Sequence, residues 1–118
     1  MSVHRIQVER DGDSPVAVVR ASGELDAYAV PDIDRAFSEA GALERVVVDL
    51  VAVSFLDSTA LGALVRAVRH LHELDGSVRV VLPDTTARRI FEITTLDRVL
   101  PVAASRAAAV AELRPAAG

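Results

Sequence analysis

The sequence predicts an α/β fold with a four- to five-stranded, mixed but largely parallel sheet and about four helices. Two observations support this class: short β-branched runs alternate with segments of helical apolar spacing, and two strand-like segments adjoin near the start. The length of 118 residues suits a single domain over 1–118. We expect its core at about 5–113 and a frayed tail at 114–118.

The first two strands are predicted to form an antiparallel hairpin. Apolar residues alternate with polar ones at 6–8, and the run 16–20 predicts the second strand. The segment 11–15 between them is rich in Asp, Gly, Ser and Pro, which is typical of a turn. Ser22-Gly23 is expected to end the second strand.

Two helices and a buried strand follow. Pro31 suits a first helical turn because its missing N–H would be unpaired there anyway, and Gly41 is a plausible stop. The β-branched run 46–48 predicts a strand buried on both faces, followed by a loop around 55–57. A second helix, capped at its end by Gly76, is predicted from one apolar stripe: Leu61, Leu64, Val65, Val68 and Leu71.

The remaining elements continue the alternation. The segment 78–82 predicts a strand, and Pro83 opens a predicted helix that extends to about residue 93. A short last strand is predicted at 99–102, and Ser105 is expected to cap a final Ala-rich helix.

The composition excludes several function classes. The net charge is −4, all 13 basic residues are Arg, Cys is absent, and aromatic residues make up 3%. Disulfides, thiolate metal sites and Cys or Lys chemistry are therefore excluded, and nucleic-acid binding is disfavoured because a basic face and stacking residues are missing. The three His have no metal-ligand spacing, so no metal or other cofactor is expected.

No membrane or export signal is evident. The first ten residues lack a continuous apolar region, and the most apolar stretch, 46–56, is short and interrupted by Asp49. We therefore expect no membrane insertion and a cytoplasmic location. Asp49 itself is expected to be a hydrogen-bonded structural acid, because no His or Lys partner is suggested.

The segment 46–61 carries the strongest functional signal. A buried strand ends there, and Asp57-Ser58-Thr59 begins a helix. Free backbone N–H groups at a helix start favour negative charge, so a Ser at this point can carry a phosphate without unfolding its helix. The competing interpretation is that these residues simply cap the helix, at about 1 kcal/mol each. On the local pattern alone, capping is favoured.

An ordered set of motifs changes that balance. It comprises Gly23-Glu24-Leu25-Asp26, Val48-Asp49-Leu50, Asp57-Ser58-Thr59-Ala60-Leu61-Gly62, Ala87-Arg88-Arg89-Ile90-Phe91 and Leu96-Asp97-Arg98-Val99-Leu100. This combination resembles the bacterial STAS family, specifically the anti-sigma factor antagonists, over about 5–113. Many members have Gly where this chain has Ala60.

The resemblance implies a non-enzymatic partner switch that regulates transcription. Such an antagonist binds an anti-sigma factor that is also a serine kinase, and this binding releases a sigma factor. Phosphorylation, here at Ser58 with Thr59 as a minor alternative, separates the pair, and a phosphoserine phosphatase reverses it. The resemblance assigns partner binding to Gly23, Glu24, Asp26, Asp57, Ser58 and Thr59.

Two alternatives remain beside this hypothesis. The chain could be a STAS scaffold or transporter-associated module, in which Ser58 need not be phosphorylated. A phosphotransfer receiver or small phosphohydrolase is disfavoured: Asp57 follows a strand, but the acidic cluster and the late Lys of receivers are missing. For Glu24, a turn with a solvated acid pair is a serious competitor to partner binding.

Overall fold

The computed structural model describes residues 3–10, 15–41, 45–82 and 100–114. They form one five-stranded sheet in which the strands are ordered as in the sequence. The first two strands pair antiparallel and all later neighbours pair parallel, which confirms the predicted mixed sheet. The strands are β1 (His4–Arg10), β2 (Ala17–Leu25), β3 (Arg45–Leu56), β4 (Ser77–Val81) and β5 (Val102–Ala103).

Three α-helices lie within the described ranges, together with one 3₁₀ turn at Ala27–Ala29. The helices are α1 (Val30–Ala40), α2 (Ser58–Glu73) and α3 (Arg106–Leu113). The predicted helix at 83–93, the turn at 11–14 and the tail at 115–118 lie outside the described residues.

The helices cover both faces of the sheet, and alternate residues of each central strand serve the two faces. In β3, Val46 and Val48 belong to the apolar cluster that contains the buried residues of α1 and α2. Val47 belongs to a second cluster, formed with buried residues of α3. A strand buried on both faces has no polar alternation, which explains the β-branched run in the sequence.

Most predicted helix boundaries are confirmed, with one correction. Pro31 lies in the first turn of α1 and Gly41 is its C-cap. The C-cap of α2 is Leu74, however, and not Gly76 as predicted. Asp75 adopts the left-handed conformation with φ 60°, while the Gly76 N–H donates to the Leu71 carbonyl at 2.7 Å.

The second and third strands are longer than the sequence predicts. Ser22-Gly23 does not end β2, which continues to Leu25, and the loop predicted around 55–57 is strand up to Leu56. The reason lies in the tertiary structure: the carboxyl ends of β2 and β3 pair with each other, with Leu25 opposite Leu56. Register shifts earlier in β2 allow the two strands to stay paired up to this point. A local turn signal is thus overridden by strand pairing.

Polar contacts tie the outer elements to the sheet. His4 Nε2 lies 2.7 Å from Asp32 Oδ2, which joins β1 to α1, and this hydrogen bond holds the pKa of Asp32 below its ordinary value. Asp49 is buried and accepts a hydrogen bond from the Val51 N–H at 3.0 Å, as expected of a structural acid.

Among the helices of the described ranges, none has the length and apolar character needed to cross a bilayer.

Candidate functional site

The start of α2 is organised by Asp57. Its backbone is extended, and its carboxylate accepts a hydrogen bond from the Ala60 N–H at 2.8 Å, which makes it the N-cap of the helix. The Asp57 N–H donates to the Leu25 carbonyl at 3.0 Å. The first turn of α2 is therefore attached directly to the carboxyl end of β2.

Ser58 is the first residue of α2, and both it and Thr59 are exposed. Capping, the competing interpretation of this segment, is performed by the Asp57 carboxylate rather than by the Ser58 hydroxyl. The next side chain inward, Ala60, is fully buried in the core, so the departure from Gly at this position fills core space. Ser58 is thus an exposed serine in the first turn of a helix that Asp57 already caps.

Gly23 lies at the irregular end of β2, and the fold itself requires a glycine there. Its φ is +82°, a conformation that residues with a Cβ rarely adopt, and a Cβ would collide with the Val3 carbonyl oxygen. The next residue, Glu24, donates its backbone N–H to the same oxygen at 2.8 Å. Gly23 therefore shapes the backbone that presents the exposed Glu24 side chain.

Asp26 has a structural task as well. Its carboxylate accepts a hydrogen bond from the Tyr28 N–H at 3.0 Å and caps the 3₁₀ turn. The segment after the predicted end of the second strand is therefore the end of β2, up to Leu25, followed by this capped turn. Because Glu24 lies opposite Phe55 and Leu25 opposite Leu56 in the parallel pairing, the predicted residues of β2 and of the α2 start are brought to one edge of the sheet.

Sequence reasoning missed two exposed aromatic residues: Phe55 at this edge, and Tyr28 in the 3₁₀ turn that follows β2. Phe55 is 51% exposed and Tyr28 is 73% exposed. Phe55 was hidden in the sequence because β3 loses its period of two: Ser54 and Phe55 are both exposed, while Val53 and Leu56 are buried. For Tyr28, the sequence offered one signal of an exposed aromatic residue: it is the single tyrosine of the chain, and it lies two residues after Asp26.

We define the docking edge as Gly23, Glu24, Asp26, Phe55, Asp57, Ser58 and Thr59. It combines three carboxylates, two hydroxyls and one exposed aromatic ring. Across the described ranges, no group of three or more His, Asp or Glu side chains is arranged to hold a metal ion. A charged rim beside an exposed aromatic side chain is an arrangement suited to protein binding.

The comparison with protein families gives a match over most of the chain. The STAS domain family matches residues 6–109. An anti-sigma-B factor antagonist of Listeria monocytogenes is 33% identical over 96 residues, covering 80% of this chain and 82% of the relative. The motifs that suggested the resemblance therefore belong to a similarity that covers most of both proteins.

Solved structures agree with the fold. An anti-sigma factor antagonist from Mycobacterium paratuberculosis is similar with a TM-score of 0.83 at 29% identity, covering 96% of each chain. The Bacillus cell fate determinant SpoIIAA in its phosphorylated form is similar with a TM-score of 0.69 at 26% identity, covering 93% of this chain and 100% of that one. The five-stranded mixed sheet described above is thus shared with proteins of this kind.

Proposed function

This chain belongs to the STAS domain family, and we propose that it is an anti-sigma factor antagonist inactivated by phosphorylation of Ser58. Relatives with that name are regulatory binding proteins, in agreement with the predicted lack of enzymatic activity. The proposed partners are an anti-sigma factor with serine kinase activity and a phosphoserine phosphatase. The proposed location is the cytoplasm, where bacterial transcription takes place.

One observation carries the proposal: Ser58 is exposed while Asp57 caps the helix. A kinase must reach the hydroxyl that it modifies, and a serine hydroxyl that serves as the N-cap is engaged with a backbone N–H. Ser58 is not engaged in this way because it stands one position inside the cap, which is Asp57. Phosphorylated SpoIIAA, a similar protein, adds support.

The position also suits the phosphorylated state. The backbone N–H groups of the first helical turn have no carbonyl partner four residues earlier within the helix, and they form the positive end of the helix dipole. A phosphate on Ser58 would lie in this favourable field, and α2 should remain folded after modification. The switch then acts at the interface and needs no large conformational change.

The docking edge supplies the mechanism of release. A phosphate on Ser58 would follow Asp57 directly in the chain, within the docking edge that also contains the exposed Phe55. It adds about −1.5 to −2 charges and three oxygens that need solvent or partners. A partner surface shaped for a hydroxyl and an aromatic ring would meet both a steric obstacle and an uncompensated charge.

The size of the effect is sufficient for a switch. One unit charge about 4 Å from a partner carboxylate costs roughly 4 kcal/mol at an effective dielectric constant near 20. Since about 1.4 kcal/mol changes an affinity tenfold, this corresponds to a loss of about two to three decades in affinity before screening by salt reduces it. Removal of the phosphate by a phosphatase restores the surface without refolding.

The test is mass spectrometry of the protein isolated from its own cells, with co-purifying proteins identified in the same sample. Cleavage after Arg45 and Arg66 yields one peptide that contains Ser54, Ser58 and Thr59. We expect the phosphate on Ser58 in one fraction, and an anti-sigma factor with a kinase fold bound to the unmodified fraction. Fragment ions separate Ser58 from Thr59, and Ser54 is the internal control because it is also exposed.

Two outcomes would count against the proposal. Phosphate on Ser54 or Thr59 alone would move the modified site away from Ser58. No phosphate and no such regulator, under both growth and stress, would shift the function to a STAS scaffold or transport module. A Ser58→Ala variant should keep the partner bound and resist phosphorylation, so continued labelling at unchanged stoichiometry would contradict the assignment.

A further inference from the structure

β1 is the outermost strand on one side of the sheet. It pairs with β2 along one edge, and no strand within the described ranges pairs with its other edge. Arg5, Gln7 and Arg10 are exposed along it, and Ile6 and Val8 are only partly buried. An edge strand presents unpaired N–H and C=O groups that can accept a further strand.

The pairing pattern identifies which backbone groups are available. The Glu24 N–H donates to the Val3 carbonyl, so Val3 directs its backbone groups towards β2. In an antiparallel pair this direction alternates, so Arg5, Gln7 and Glu9 also bond inward. The N–H and C=O groups of Ile6 and Val8 therefore point away from the sheet.

The residues of β1 are self-complementary about Gln7. In an antiparallel arrangement with a two-fold axis at Gln7, Ile6 of one copy faces Val8 of the other, and their outward backbone groups bond reciprocally. Arg5 of one copy faces Glu9 of the other, and this pair lies on the face of the sheet opposite to the Ile6 and Val8 side chains. We propose that β1 pairs with β1 of a second copy of this chain in this register, which joins the two sheets into one.

The charges select this register among those that the backbone allows. A two-fold axis at Ile6 or at Val8 also brings outward-pointing backbone groups of the two copies together. These axes, however, place the charged Arg5 or Glu9 opposite the neutral Gln7. A two-fold axis that lies between two residues places a residue with outward-pointing backbone groups opposite one whose groups point inward. No reciprocal hydrogen bonds can form in that arrangement. The register at Gln7 alone makes two opposite-charge pairs, one at each end of the two-fold axis.

The charged side chains of β1 fit this selection. Arg5 is exposed and forms no ion pair within the part of the chain that the structure describes. Glu9 is already held by Arg106, whose Nη2 donates to Glu9 Oε2 at 3.1 Å, so its carboxylate is positioned before a second copy arrives. Charges on an edge strand oppose random pairing, and here one register turns them into attraction.

The proposed contact is small. The strand has seven residues, and interfaces that bury less than about 1,000 Å² are weak unless other contacts add to them. The dimer should therefore form reversibly and depend on protein concentration. The proposal rests on β1 alone and stands independently of phosphorylation at Ser58.

A cysteine scan tests the register directly because the natural chain has no Cys. A Gln7→Cys variant would bring two thiols together at the axis, where facing Cα atoms are about 4.5 Å apart, within the range of a disulfide. Arg10→Cys is the matched control: it is equally exposed, keeps the Arg5 and Glu9 pairs, and would hold its thiols roughly 20 Å apart. We expect disulfide-linked dimer to form at least about tenfold faster for Gln7→Cys.

A charge variant tests the same pairing without cross-linking. Arg5→Glu sets like charges opposite each other, and sedimentation equilibrium should show a dimer dissociation constant raised at least about tenfold. Arg69→Glu, on the exposed face of α2, makes the same change in net charge and should leave that constant unchanged. Equal cross-linking of the two Cys variants, equal effects of the two Glu variants, or a monomer at all concentrations would overturn the proposal.

Discussion

The starts of α2 and α3 make a direct comparison, because each has a serine either at its N-cap or directly after it. In α3 the serine is the N-cap: Ser105 Oγ accepts a hydrogen bond from the Ala108 N–H at 3.1 Å. In α2 the cap is Asp57, whose carboxylate accepts from the Ala60 N–H at 2.8 Å, and the serine follows it. A shift of one residue separates a structural serine from one whose hydroxyl is available.

The difference is decided by the strand that precedes each helix. β3 continues to Leu56 because β2 pairs with it as far as Leu25, and the Leu25 carbonyl then holds the Asp57 N–H at 3.0 Å. The cap position therefore falls on Asp57 and the first helical position on Ser58. Before α3, the short strand β5 ends at Ala103, and the cap falls on Ser105 itself. The same residue type thus acquires different roles through the pairing of distant strands.

The largest expected effect contrasts the two serines in partner binding. Ser58→Asp should weaken binding of the anti-sigma factor by about 100-fold, since a charge enters the docking edge. Ser105→Asp should change the affinity by less than about threefold, because Asp is an equally good N-cap and α3 packs on the other face of the sheet. Titration calorimetry of both variants measures this, and similar affinities for the two would break the comparison.

The next effect concerns the backbone beneath the α2 start. Gly23→Ala should lower the free energy of unfolding by about 2 kcal/mol or more, because it combines a left-handed conformation with a collision at the Val3 carbonyl. Gly62→Ala is the matched control within α2, where a Cβ meets only the flexible end of Arg66 and should stabilise the helix by up to about 1 kcal/mol. Urea unfolding that showed equal and small changes would mean that the end of β2 is not constrained as described.

The smallest effects distinguish cap from first helical residue. Asp57→Ala and Ser105→Ala should each cost about 1 kcal/mol of stability, because each removes a hydrogen bond to a helix N–H. Ser58→Ala should lie within about 0.5 kcal/mol of the natural protein, since its hydroxyl is not the cap. Thermal unfolding of the three variants would contradict the assignment if Ser58→Ala were the most destabilised of them.

The sequence predicted more of the elements than of their ends. The antiparallel hairpin, Pro31 in the first turn of α1, and Ser105 as a cap all follow from local chemistry, and the structure confirms them. The extension of β2 past Gly23 could not be predicted, because a glycine before polar residues is a turn signal until another strand pairs with it. The exposed Phe55 was missed for a related reason, since the irregular pairing there removes the alternation.

The sequence by itself determined the class of fold, the segment that carries Ser58, and the exclusion of thiol and lysine chemistry. These depend on residue type and on periodicities of a few residues, which act locally. Only the tertiary structure decided that Asp57 rather than Ser58 is the cap, that Gly23 and Glu24 end a strand beside it, and that Phe55 is exposed. Each of these depends on how β2 and β3 pair at their carboxyl ends, a contact between segments about 30 residues apart whose register local patterns do not specify.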